Sequence, residues 1–79
     1  ALQQAPLRDL AAGIGLNDKF LFTRELFKSN PSLYQQTVAR INQSRNLEEA
    51  LEWLHSRFQW DESLPAVQKF LDLVKRRHS

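Results

Sequence analysis

The sequence predicts an all-α fold, a compact bundle of four main helices plus a short N-terminal one. Three observations carry that reading. No segment alternates apolar and polar residues with period two, as a half-buried strand would. From Leu33 onward, apolar residues recur at spacings of three and four, which stack them on one helical face. Turn-forming groups at Gly13-Ile14-Gly15, Ser29-Asn30-Pro31, Ser44-Arg45-Asn46 and Asp61-Glu62-Ser63 cut the 79 residues into pieces of helical length.

Residues 1–5 carry little signal and are expected to be poorly ordered. Pro6 suits the first position of a short helix that includes Leu7, Leu10 and Ala11 and stops at Gly13. Gly13-Ile14-Gly15 connects it to a second helix, with Asn17 as the expected cap and about Lys28 as the expected end. At about 100° per residue, Phe20, Leu21, Phe22, Leu26 and Phe27 spread around nearly the whole circumference of that helix. Such a helix is either enclosed by neighbours on several sides or keeps one face for a partner. The enclosed arrangement makes it the centre of the bundle, with at least four of the five side chains largely buried.

Asn30 and Pro31 open a third helix that runs to about Gln43, with Leu33, Tyr34, Thr37, Val38 and Ile41 on an arc of about 140°. A fourth starts after Asn46, which stands at capping-box spacing from Glu49. Its stripe is Leu47, Ala50, Leu51, Leu54 and Phe58, with Trp53 to one side. Trp60 leads into the next turn and is expected to cover one end of the core. Pro65 then begins a fifth helix whose apolar face is Val67, Phe70, Leu71, Leu73 and Val74.

One domain fits this length, which permits roughly 60–65% of the chain surface to be buried. The absence of cysteine excludes a disulfide framework and a cysteine-ligated zinc, so apolar packing must hold the domain together. It also fits a reducing compartment, and the cytoplasm is the expected location. No apolar run reaches the roughly 18 residues of a membrane span, so membrane insertion by this segment is not expected. The absence of any methionine points to a domain cut from a longer protein. Eleven Lys and Arg against nine Asp and Glu give a net charge of +2, too small to imply a polyanion partner by itself.

Few constellations carry chemistry. Glu52 and His55 form one E-x-x-H pair, as in half of a di-iron carboxylate bundle, but such a site needs a second pair and two further glutamates, and the chain has no second copy. A solvated helix face accounts for the pair without a metal. No histidine stands in a pattern that would activate a serine or threonine. Gly13-Ile14-Gly15 lacks the third glycine of a dinucleotide fingerprint, since Asp18 holds that place, and a helix break explains it better. Asn42-Gln43-Ser44 matches the glycosylation sequon, a pattern short enough to arise by chance. Neither a catalytic residue nor a cofactor is expected.

Leu7-Arg8-Asp9-Leu10 with Ala12, the run Ile14 to Phe27, Trp60-Asp61 and Val74-Lys75-Arg76-Arg77 together form a pattern that extends over nearly the whole chain. In it the sequence resembles the C-terminal helical domain of a group of uncharacterised bacterial proteins. The resemblance implies a terminal module of a longer protein, following a polar N-terminal region, and brings no activity with it.

A non-catalytic interaction or adaptor domain is therefore the expected function, binding another protein or its own copy. The expected site is the outer face of the fourth helix, where Trp53 is bordered by Glu48, Glu49 and Glu52 and offers an aromatic anchor. The alternative is a nucleic-acid-binding accessory domain that uses the basic end at Lys75, Arg76 and Arg77. The same cations also complement a helix C-terminus. Against a helix-turn-helix, Glu48 and Glu49 occupy the end of the helix that would approach the DNA backbone.

Overall fold

Asp9 opens the part of the chain that the structure, a computed structural model, describes: residues 9–78. The expected helix start at Pro6 and Leu7 and the expected disorder of residues 1–5 lie outside it. The remainder of the first predicted helix is a single 3₁₀ turn, Leu10–Gly13. Asp9 caps it by accepting from the Ala11 N–H at 2.9 Å, and Leu10 is fully buried beneath it.

Four α-helices follow: α1 (Leu16–Leu26), α2 (Pro31–Asn42), α3 (Leu47–Arg57) and α4 (Pro65–Arg77). No strand occurs among the described residues, and the all-α expectation holds. The Cα radius of gyration, 11.7 Å, is close to the value of about 11.6 Å that packed chains of this length show.

The boundaries of α1 differ from expectation at both ends. Gly15, not Asn17, is the N-terminal flanking residue, and its carbonyl accepts from the Lys19 N–H at 2.9 Å. Asp18 lies in the first turn, where its carboxylate complements the helix dipole and pairs with Lys69 of α4 at 2.8 Å. At the other end the helix stops at Leu26, because Lys28 and Ser29 adopt left-handed backbone with φ of 53° and 60°. The Ser29 N–H then bonds the Thr23 carbonyl at 2.8 Å, and Phe27 is turned out of the helix into the core.

The other caps follow the sequence closely. Asn30 accepts from the Leu33 N–H at 3.2 Å and Asn46 from the Glu49 N–H at 2.8 Å. The capping box of α3 is displaced by one residue, since Glu49 returns its carboxylate to the N–H of Arg45 at 3.1 Å and not to that of Asn46.

The centre of the bundle is α4, and this corrects the expectation that the second predicted helix, now α1, takes that place. α4 packs against α1, α3 and the 3₁₀ turn, while α1 packs against α4 and α2. Ala66, Val67, Phe70, Leu73 and Val74 are all buried, so the face of α4 is apolar along its length. Of the five apolar residues around α1, Phe22, Leu26 and Phe27 are buried, Leu21 is half-buried against the core, and Phe20 is 63% exposed. Three are therefore largely buried, where four were expected.

Phe27 is the aromatic hub. Its ring meets those of Tyr34, Phe58, Trp60 and Phe70 edge-to-face, with centroids 5.5 to 5.8 Å apart. Trp60 stacks on Phe58 at 4.7 Å and donates its indole N–H to the Leu26 carbonyl at 3.1 Å. It thereby closes one end of the core, as expected, and satisfies a carbonyl that the end of α1 leaves open.

Candidate functional site

The expected site on α3 is assembled only in part. Glu48 and Glu52 are exposed, but Glu49 is half-buried and turned toward cations. Its carboxylate lies 3.3 Å from Arg45 and 3.9 Å from Arg40. The backbone N–H of Arg45, and then the side chain and charge of Arg45 and the charge of Arg40, hold the Glu49 pKa below its ordinary value. Trp53 is half-buried, with the guanidinium groups of Arg40 and Arg57 at 5.4 and 5.5 Å from its ring and Phe58 at its edge. Cations of the same chain thus already cover much of this anchor.

A pH dependence follows from Glu49. With a folded pKa below the unfolded one, its contribution to stability is present above the unfolded value, near 4.5, and is lost as pH falls through the folded pKa. In melting curves recorded as a function of pH, Glu49→Gln should show a flatter decline below that value than the parent. Parallel declines would contradict the pairing.

At the basic end, Lys75 is exposed while Arg76 and Arg77 are half-buried. Arg77 is a strut: its Nε donates to Asn42 Oδ1 at 3.0 Å and its Nη2 to the Asn42 carbonyl at 2.9 Å. His78 Nε2 lies 2.9 Å from the Ile41 carbonyl. The end of α4 therefore closes the C-terminus of α2, a contact the sequence did not predict, while Lys75, Arg76 and Arg77 occupy the last turn of their own helix, where cations complement its dipole.

Asn42 joins three elements. Its Oδ1 accepts from the Leu10 N–H at 2.8 Å as well as from Arg77, and its Nδ2 donates to Asp9 at 2.8 Å. The amide that the sequon would glycosylate is thus occupied in the folded domain. His55, of the E-x-x-H pair, meets Glu62 at 3.1 Å and not Glu52. Among the described residues no three His, Asp or Glu side chains converge as a metal site requires.

Two features stand out that the sequence reading did not single out as a site. Leu16 and Phe20, one turn apart on α1, are 67% and 63% exposed. Lys19, three residues after Leu16, shares that side of the helix and lines a groove of about 410 Å³ between the 3₁₀ turn, α1 and α2. Ile14 and Val38 supply apolar lining, while Asp9, Tyr34 and Gln35 supply polar groups. Lys19 Nζ sits 5.9 Å from the centre of the Tyr34 ring. Tyr34 is 5% exposed, and its hydroxyl, which has no hydrogen-bond partner among the described residues, keeps contact with solvent at the groove. Burial first, and the charge of Asp9 second, raise its pKa above the ordinary 10.0. The sequence signals were the apolar circumference of α1 and a phenol tip on an otherwise apolar stripe.

Fold and surface together define a small all-helical domain with an apolar face beside a groove of ligand-binding size. Residues 11–79 match the family described as Domain of unknown function (DUF8457), and the chain belongs to that family. No curated protein and no solved structure matches it.

Proposed function

We propose that this domain is a non-catalytic protein-interaction module that docks a partner on the α1 face formed by Leu16, Lys19 and Phe20. The observation that carries the reading is the exposure of Leu16 and Phe20, 67% and 63%, on neighbouring turns. A small domain depends on its large apolar side chains for stability, so two of them left side by side at the surface mark an interaction site better than scattered ones do. Trp53, with exposed Glu48 and Glu52 on the same helix, is a second place for contact, at the border of an interface and not at its centre. The module acts in the cytoplasm as the C-terminal part of a bacterial protein. Nucleic-acid binding through Lys75, Arg76 and Arg77 is the less favoured reading, since the Arg77 guanidinium is engaged with Asn42.

The test is a pull-down with the full-length protein, comparing the parent, Leu16→Ser/Phe20→Ser, Trp53→Ala and a Lys75, Arg76 and Arg77 triple alanine variant. A partner should be lost with the α1 double variant, while helix content and melting temperature stay at the parent values. Loss only in the triple variant, with steep weakening by salt, would replace this reading with the polyanion one.

A further inference from the structure

A second cavity lies between α3, α4 and the connection that joins them, and it shares no lining residue with the α1 face or the groove beside it. We infer that this cavity binds a small organic ammonium, with one aromatic ring inside and the protonated amine at the Glu62 carboxylate.

Size and lining select the ring. The cavity measures about 190 Å³, and an apolar one of about 150 Å³ holds a benzene. A single ring with a short arm therefore fits. Leu54 and Val67, 1% and 0% exposed, form the floor with half-buried Leu71. Phe58 and Trp60, stacked at 4.7 Å, make an aromatic wall. Trp60 already donates its indole N–H to the Leu26 carbonyl at 3.1 Å, so it offers a ligand ring surface and no hydrogen bond.

The mouth selects the charge. His55, in the last turn of α3, and Glu62, in the turn before α4, meet there at 3.1 Å with side chains 60% and 63% exposed. The contact uses Glu62 Oε2, and a carboxylate has acceptor capacity at both oxygens, which leaves room for an ammonium. In its neutral form the imidazole donates from Nε2 and leaves the carboxylate charge uncompensated. Glu62 is the acid of the lining, and among the described residues no Lys or Arg lines the cavity. Gln59, also exposed, is neutral and favours neither sign of charge. The mouth thus attracts a cation and repels a carboxylate, with a modest energy because the pair is wet.

Phenethylamine, phenethyl alcohol and phenylacetate present the same ring with a cationic, a neutral and an anionic head. Each is titrated into the ¹⁵N-labelled chain at about pH 8 and followed by amide chemical shifts. Saturable shifts should appear at Gln59, Trp60, Glu62 and Leu71, with the amine binding about fourfold tighter than the alcohol and about tenfold tighter than the acid. In Glu62→Gln, at an exposed position, the melting temperature and the affinity for the alcohol should stay at the parent values while the amine falls to the level of the alcohol. Raising the salt should reduce the preference in the parent and keep the ring bound. Leu71→Phe, which fills the cavity from its side, should remove the saturable shifts for all three compounds. Equal binding of the three by the parent, a preference for the amine that survives Glu62→Gln, or shifts that do not saturate would overturn the inference.

Discussion

Phe27→Ala should destabilise the domain by about 3–5 kcal/mol, a large part of what a single small domain has available. The ring is fully buried and meets four other aromatic rings edge-to-face, drawn from α2, the α3–α4 connection and α4. Its removal leaves a cavity where the elements meet, and neighbouring rigid rings cannot collapse to fill it. Denaturant unfolding followed by far-UV circular dichroism measures this directly. Phe27→Leu, which keeps much of the volume, should lose distinctly less. A loss below about 1 kcal/mol for the alanine variant would mean that the aromatic cluster is not the stabilising centre.

Asn42→Ala should cost about 2–3 kcal/mol, more than a half-buried polar residue ordinarily does. The side chain holds Leu10 N, Arg77 Nε and Asp9 Oδ1, and so ties the 3₁₀ turn and the end of α4 to the last turn of α2. Alanine leaves the N–H of the buried Leu10 and the Nε–H of Arg77 without their acceptor, while the Arg77 Nη2 bond to the backbone carbonyl at position 42 is kept. For a domain of this size each kcal/mol moves the melting temperature by about 4–8 °C, so thermal melts resolve the effect. Gln43→Ala, at an exposed neighbouring position, is the control and should leave the melt unchanged.

These two residues also show what was legible in the sequence. The stripe on α2 and the face of α4 followed from spacing alone, because each helix has one buried side and the period fixes which residues share it. The caps at Asn30 and Asn46 were equally local. The end of α1 was not, since nothing in Lys28-Ser29 demands left-handed backbone as a glycine would; only the insertion of Phe27 into the core accounts for it. Asn42 looked like a surface residue or a sequon, for its three side-chain partners lie 32 to 35 positions away. The same distance effect hid the groove, which brings Lys19 to Tyr34 across the α1–α2 connection. The helical wheel offered two outcomes for α1, enclosure or a face kept for a partner, and the structure combines them: Phe22 turns inward while Phe20 turns outward.

That division is the centre of the account, and paired melting curves of Phe20→Ser and Phe22→Ser test it without knowledge of any partner. Phe20→Ser should melt within about 4 °C of the parent, as exposed substitutions do, and Phe22→Ser should melt far lower or fail to fold. Comparable losses in the two variants would show that Phe20 belongs to the core, and the α1 docking face would then have to be abandoned.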